Sequence, residues 1–276
     1  MDSSKQQAAD WWSTSIVQMS PGKINFHGHP IQDLIGNVSF VGMIWLMLKG
    51  EQAQPGQEEL FSAALMAGAD HGPQAPSIAI ARMASSCGIG INNAMATAAN
   101  VLGDVHGGAG EQCVELFNQI LELQASEGME LNQAADQVLG AFFASGKKYV
   151  PGYGHRFHPV DPRSAPLLTL LRKAEEQGVV KPDYSAVAKA VENAIATRKG
   201  RHIPINIDGA TAAIYGALGF EPPLCRGLFV LSRSVGILAH SWEQRQRNER
   251  NKGPIPKGWL WTYTGKPVQQ ETPQES

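Results

Sequence analysis

The chain has little of what would tie it to a membrane, a nucleic acid, a disulfide framework or a metal. Its 276 residues carry 23 basic and 25 acidic side chains, a formal charge of −2 and a pI of about 6.4. That balance gives no overall attraction to polyanions or anionic lipid, so an anionic small molecule would need a local basic pocket. The three cysteines, Cys87, Cys113 and Cys225, are odd in number and lack a Cys-x-x-Cys spacing. They argue against a disulfide framework and read as buried, reduced thiols of a cytoplasmic protein. No cluster of His, Asp and Glu at ligand spacing occurs, so no metal is expected. The apolar run Val41 to Leu48 is too short to span a bilayer, and Trp11-Trp12 after a polar start opens no core of signal-peptide length. Internal repeats of solenoid length are missing as well.

What is present is helical periodicity cut by 17 prolines and 29 glycines. Residues 14–29 alternate loosely with a period of two around Ser20-Pro21-Gly22, which predicts a small hairpin. From Ile31 to Lys49 the apolar residues Leu34, Ile35, Val38, Val41, Ile44, Trp45 and Leu48 keep helical spacing, and Gly50 follows as a stop. Similar patterns predict helices over about 57–69, 76–86, 91–103, 109–127, 131–145, 163–177, 184–198, 208–218 and 224–246. The stretches 75–84 and 92–102 are almost uncharged on every side, so they are expected inside a large core or at a subunit interface. A chain of this length allows one large and one small all-α subdomain. We expect an N-terminal tail over 1–13, one helical domain over 14–268 with a small subdomain at roughly 155–222, and a disordered Gln/Glu/Pro/Ser-rich tail over 269–276.

Four segments concentrate polar chemistry in otherwise apolar surroundings. Pro151-Gly152-Tyr153-Gly154-His155-Arg156, followed by Asp161-Pro162-Arg163, sets a histidine and two arginines on a turn where backbone can approach a ligand closely. The others are Asp70-His71-Gly72-Pro73, Asp104-Val105-His106-Gly107-Gly108 and Asn206-Ile207-Asp208-Gly209. Each has a plain structural explanation too. His155 alone would be a loop histidine satisfied by backbone, His71 a helix C-terminal histidine and Asp208 an N-cap. Arg233 is the only charge in the run Leu228 to Leu238, and a buried arginine without a partner would be costly.

Taken together, these motifs resemble the citrate synthase superfamily, in particular its short citryl-CoA lyase branch and the matching C-terminal domain of ATP-citrate lyase. The resemblance runs from roughly Ile16 to Gly265. It includes the opening around Pro21 to Ile35, Leu46-Met47-Leu48-Lys49-Gly50-Glu51, Leu231-Ser232-Arg233-Ser234-Val235-Gly236 and Tyr263-Thr264-Gly265. It implies an all-α, citrate-synthase-like fold working as a homodimer or dimer of dimers, without nucleic acid or membrane as partner. It also implies coenzyme A as part of the substrate or product, with no tightly bound cofactor.

By the same resemblance, His155 takes the hydroxyl proton of the substrate, Asp208 moves the α-proton of acetyl-CoA, and His106 hydrogen-bonds the thioester oxygen of the enol. His71, Arg163 and Arg233 bind the keto-acid part, with guanidinium forks suited to carboxylates. Val150, Pro151, Gly152, Tyr153, Gly154 and Arg156 are expected along coenzyme A, and Arg198, Lys199 and Arg201 are further candidates for its phosphates. His106 is synthase-like, because the ATP-citrate lyase domain has an aromatic residue there. A third carboxylate-binding arginine, placed by the family near the C-terminus and supplied to the neighbouring subunit, is missing from Gly253-Pro254-Ile255-Pro256-Lys257-Gly258-Trp259. The expected activity is cleavage of citryl-CoA or citramalyl-CoA to acetyl-CoA and oxaloacetate or pyruvate. The alternatives are a citrate or methylcitrate synthase and a non-catalytic CoA-binding subunit.

Overall fold

A computed structural model describes residues 3–267, so the tail expected over 269–276 lies outside the described residues. Helix α1 (Ser3–Trp11) precedes an antiparallel hairpin of β1 (Val17–Ser20), β2 (Lys23–Phe26) and the short β3 (His29–Pro30). Val17 pairs with Phe26 and Asn25 with Pro30, and Gly22 turns the first corner at φ 77°. The helix at 3–11, within the expected tail, ends beside Trp11 and Trp12, both exposed.

The predicted helix over 31–49 is two helices, α2 (Ile31–Leu34) and α3 (Phe40–Lys49). Gly36 adopts φ 83° between them, and the Ser39 hydroxyl caps α3 by accepting from the Gly42 N–H. An N-cap inside an apolar periodicity restarts the helix, and side-chain spacing alone does not reveal it. The other expected helices form within a few residues of their predicted limits. They are α4 (Pro55–Ala67), α5 (Pro76–Ser86), α6 (Ile91–Ala99), α7 (Ala109–Glu127), α8 (Leu131–Ala144), α9 (Ser164–Glu176), α10 (Tyr184–Lys199), α11 (Ile207–Ala217) and α12 (Pro222–Gln246).

Helix α11 is the axis of the core. It is made of small residues and is buried along nearly its whole length, from Gly209 to Ala217. Phe61, Phe117, Ile120, Leu139, Leu171, Ile195 and Leu228 fill the space around it and are essentially inaccessible. Gly216 lets α11 lie directly against the Tyr184 ring, where any β-carbon would overlap it. A smaller cluster of Ala75, Ile78, Ala81, Ala98 and Ile237 joins α5, α6 and α12.

The expectation of three buried cysteines needs correction. Cys113 and Cys225 are buried free thiols, but Cys87 is exposed just past the end of α5. Helix α6 buries only Ala94 and Ala98, and leaves Asn92, Asn93, Ala96 and Thr97 exposed in the single chain. An uncovered apolar surface runs along α12, where Leu231, Val235, Leu238 and Trp242 recur at helical spacing and are exposed. Beyond α12, residues 252–267 form no helix or strand and expose Trp259, Leu260, Trp261 and Tyr263. No helix among the described residues is long and apolar enough to cross a membrane.

Candidate active site

The loop with His155 and the start of α11 are locked together by backbone. The Asn206 N–H donates to the Gly152 carbonyl at 2.9 Å, and the Gly154 N–H donates to the Pro204 carbonyl at 2.8 Å. Gly152 is the reason they can approach. It takes φ 83°, and a β-carbon there would stand 2.7 Å from both Cys113 Sγ and the Gly209 Cα. Both motifs read from the sequence thus form one rigid corner.

Asn206, not Asp208, caps α11: its side-chain oxygen accepts from the N–H groups of Asp208 and Gly209. The Asp208 carboxylate, in the first turn, is therefore free of capping. Burial pushes it above the usual carboxylate range, against the opposing pull of Arg233 and Arg163. A carboxyl held this way is suited to exchanging a proton with carbon.

The histidines gather at the same place. The rings of His71 and His155 are 5.0 Å apart, and His158 lies 4.6 Å from His155 and 6.1 Å from His71. Nδ1 of His155 accepts from the N–H groups of Phe157 and His158, both at 3.1 Å. That occupancy favours the neutral ring with its proton on Nε2, so in the ligand-free protein Nε2–H is the donor left to meet a substrate oxygen. Nε2 of His106 accepts from the Ser77 N–H at 3.2 Å and lies 3.0 Å from the Ser77 hydroxyl, so the neutral ring carries its proton on Nδ1. Burial lowers the pKa of His71, His106 and His155. Arg163 and Arg233 reinforce this at His71, Arg233 does so at His106, and Asp161 partly opposes it at His155. All three imidazoles are held toward the neutral form.

Arg233 is buried, with Nε donating to the Gly68 carbonyl at 3.2 Å and the guanidinium 4.9 Å from the Phe229 ring centre. Its two terminal nitrogens have no protein hydrogen-bond partner among the described residues. Arg163 is more fully engaged. Nε and Nη2 each donate to Asp161 at 2.9 Å, and Nη1 reaches the Ala67 carbonyl at 3.4 Å. Burial alone would raise the Asp161 carboxyl, but Arg163 and the Ile207 N–H outweigh it and hold it at about 2.

Beside this cluster lies a cavity of about 710 Å³, lined by Val150, Tyr153, Gly154, His155, Arg156 and His158 on one side and by Lys148, Lys199, Arg201 and His202 on the other. Its basic rim and apolar floor of Phe143, Ile195 and Ile203 match a long anionic ligand with a ring system. Of the other residues expected along that ligand, Pro151 lines a neighbouring cavity with Lys147 and Tyr149, and Gly152 is buried with its carbonyl already bonded to Asn206. Arg198 is turned to Asp136, with two 2.8 Å contacts, and does not line the cavity. Sequence reasoning missed Ser77, His158 and Asp161 as site residues. Ser77 could not have been found by spacing, since it meets His106 from 29 residues away. Asp161 was visible in the Asp-Pro-Arg triplet but has its meaning only through the fold. Among the described residues no group of three or more His, Cys, Asp and Glu is placed to hold a metal ion.

Fold and sequence place the chain in the citrate synthase superfamily. The chain belongs to the citrate synthase family: the family model for the citrate synthase C-terminal domain matches residues 44–255. It is 29% identical to a citrate synthase of Heyndrickxia coagulans over 223 residues, covering 79% of this chain and 55% of that one. The chain thus spans about half the length of the curated citrate synthases it matches. Among solved structures it is similar to citryl-CoA lyase from Hydrogenobacter thermophilus, with 30% identity, a TM-score of 0.81, and coverage of 95% of this chain and 98% of the other. ATP citrate lyase from Methanothrix soehngenii, solved with citrate and coenzyme A, shares the fold at 21% identity and a TM-score of 0.75, over 96% of this chain and 45% of that one.

Proposed function

We propose that this protein is a CoA-dependent carbon–carbon lyase that cleaves citryl-CoA-type thioesters. The carrying observation is the uncapped, half-buried carboxyl of Asp208, raised by desolvation and facing the charges of Arg163 and the open-ended Arg233, with His106 and His155 held toward the neutral form. Binding alone would not require such an acid–base set. The similarity to a citryl-CoA lyase, at 30% identity and a TM-score of 0.81, supports the lyase direction.

In this reading substrate binding moves the His155 proton from Nε2 to Nδ1, at the expense of the Phe157 and His158 contacts, and the tertiary hydroxyl proton then crosses one hydrogen bond to the freed Nε2 as the C–C bond breaks. The electron pair passes to the thioester, whose oxygen accepts a hydrogen bond from Nδ1–H of His106, and Asp208 protonates the methylene carbon to give acetyl-CoA. The keto acid remains on Arg163, Arg233 and His71. The basic cavity lined by Val150, Tyr153, Gly154 and Arg156 takes the CoA portion, with Lys199 and Arg201 at its phosphates. Two copies assemble through the uncovered faces of α6 and α12, and the arm at 252–267 reaches the partner's site.

The charge inventory bears on the substrate. Asp161 already occupies one edge of Arg163. The cations that could replace a third arginine are committed or distant: Arg247 pairs with Glu243 at 2.7 Å, Arg250 lines a separate cavity beside Cys87, and Lys257 lies on the exposed arm. One free substrate carboxylate is therefore better matched than two, which favours citramalyl-CoA. Incubation with each thioester, with acetyl-CoA and keto acid quantified, tests the lyase. The condensing alternative draws support from His106 and the citrate synthase relatives; release of CoA from acetyl-CoA plus keto acid, without detectable cleavage of either thioester, would establish it instead.

A further inference from the structure

Behind the substrate-facing histidines lies a polar chain that the chemistry above does not use. Asp70 precedes His71, and its Oδ2 accepts from the Gly72 N–H at 3.0 Å, where Gly72 turns at φ 74°. The same oxygen lies 3.3 Å from Nε2 of His240 on α12. Nδ1 of His240 is 3.2 Å from Nη1 of Arg82 on α5. A guanidinium only donates, so Nδ1 must accept and the His240 proton must sit on Nε2, aimed at Asp70. Arg82 is fixed in turn by Glu243, 2.6 Å away, which also receives Arg247.

The backbone repeats this anchoring. The Gly236 N–H donates to the Ala69 carbonyl at 3.2 Å, and a β-carbon on Gly236 would collide with that carbonyl and the Asp70 side chain. One turn earlier, Arg233 holds the Gly68 carbonyl and Ser232 the Leu65 carbonyl. The α12 face made by Ser232, Arg233, Gly236 and His240 therefore grips the corner that presents His71.

We propose that His240 is a positioning residue: its tautomer, set by Arg82, lets it hold Asp70 and so orient His71 toward the keto-acid end of the substrate. This rests on the assignment of His71 to that end. It predicts a selective loss. His240→Ala should weaken binding of pyruvate or oxaloacetate by about tenfold, the scale of one hydrogen bond to a charged group, and leave binding of free CoA unchanged. His240→Gln keeps a donor near the Nε2 position and should restore keto-acid binding to within about threefold. Arg82→Met, which frees Nδ1, should fall between them.

The test is calorimetric titration of wild type and the three variants with pyruvate, oxaloacetate and CoA, together with NMR of the His71 ring in the ligand-free proteins. The His71 resonances should move in His240→Ala and return in His240→Gln. Equal keto-acid affinity and unmoved His71 resonances in His240→Ala would overturn the proposal. So would parallel loss of keto-acid and CoA binding that Gln does not rescue, because that marks a purely structural role. If wild type binds neither keto acid while the His71 resonances respond as stated, the assignment of His71 fails but the positioning contact stands.

Discussion

The side-chain amide of Asn206 donates to the Gly154 carbonyl at 2.6 Å while its oxygen caps α11. One residue thus ties the loop of His155 to the helix of Asp208. Asn206→Asp keeps the capping oxygen and loses the amide donor, so it should retain most of the stability but lower turnover. Asn206→Ala loses both and should cost about 1–2 kcal/mol in denaturant unfolding as well. Wild-type turnover in Asn206→Asp would show that the tie does not set the site.

Asp161 gives a pH signature. Its folded value of about 2 lies below the ordinary 3.8, so its contribution is complete above pH 4 and is lost as pH falls from about 4 toward 2. The size is up to about 2 kcal/mol. Asp161→Asn should remove that part of the acid dependence and destabilise the protein at neutral pH; an unchanged unfolding curve between pH 2 and 5 would contradict the pairing.

The histidines predict the acid limb of activity. His71, His106 and His155 are lowered from 6.5, and protonation of His106 or His155 would abolish an acceptor used by Ser77 or by the His155 loop. The fall of kcat/KM on acidification should therefore lie below pH 6.5. An acid limb above that value would contradict the lowered imidazole pKa values, and a fall of kcat/KM as pH rises through this range would mean that the imidazoles work in the charged form.

Substrate charge is the next expectation. Citramalyl-CoA carries one free carboxylate and citryl-CoA two, and a second carboxylate buried without a cation is costly by several kcal/mol. Citramalyl-CoA should have a kcat/KM at least equal to that of citryl-CoA. A strong preference for citryl-CoA would mean that a cation from another copy, such as Lys257 on the arm, completes the site.

Assembly is read by sedimentation. Trp242→Glu places a charge in the apolar stripe of α12 and should shift the protein toward monomer with reduced activity. A stable, fully active wild-type monomer would remove the proposed interface.

How much of this was legible in the sequence follows from the range of the forces involved. Helices α4 to α12 were readable because each buries an apolar stripe at a period set by local geometry. The break at Gly36 to Ser39 was not, because one capping hydroxyl overrode a continuous stripe. Cys87 looked buried from its small neighbours, but the turn after α5 exposes it. The motifs carrying His71, His106, His155 and Asp208 were visible as segments, and the fold brings them to one place. Ser77 against His106 depends on a contact 29 residues apart that local spacing does not encode, whereas the Asn206 cap of α11 is local, two and three residues from its donors, and was passed over for Asp208 beside it.

Asp208 is where the account is most exposed. Its carboxyl, raised toward the protonated form, is assigned to protonating the carbon left by bond cleavage, and Asn206 already supplies the helix cap. The decisive measurement is the release of acetyl-CoA and keto acid from citryl-CoA and citramalyl-CoA by wild type and Asp208→Ala, with unfolding followed in parallel. Equimolar products from wild type, with turnover lower by about 10²–10⁴ in the variant at nearly unchanged stability, is the predicted result. Near wild-type turnover in Asp208→Ala, or no cleavage of either thioester by wild type, would contradict it.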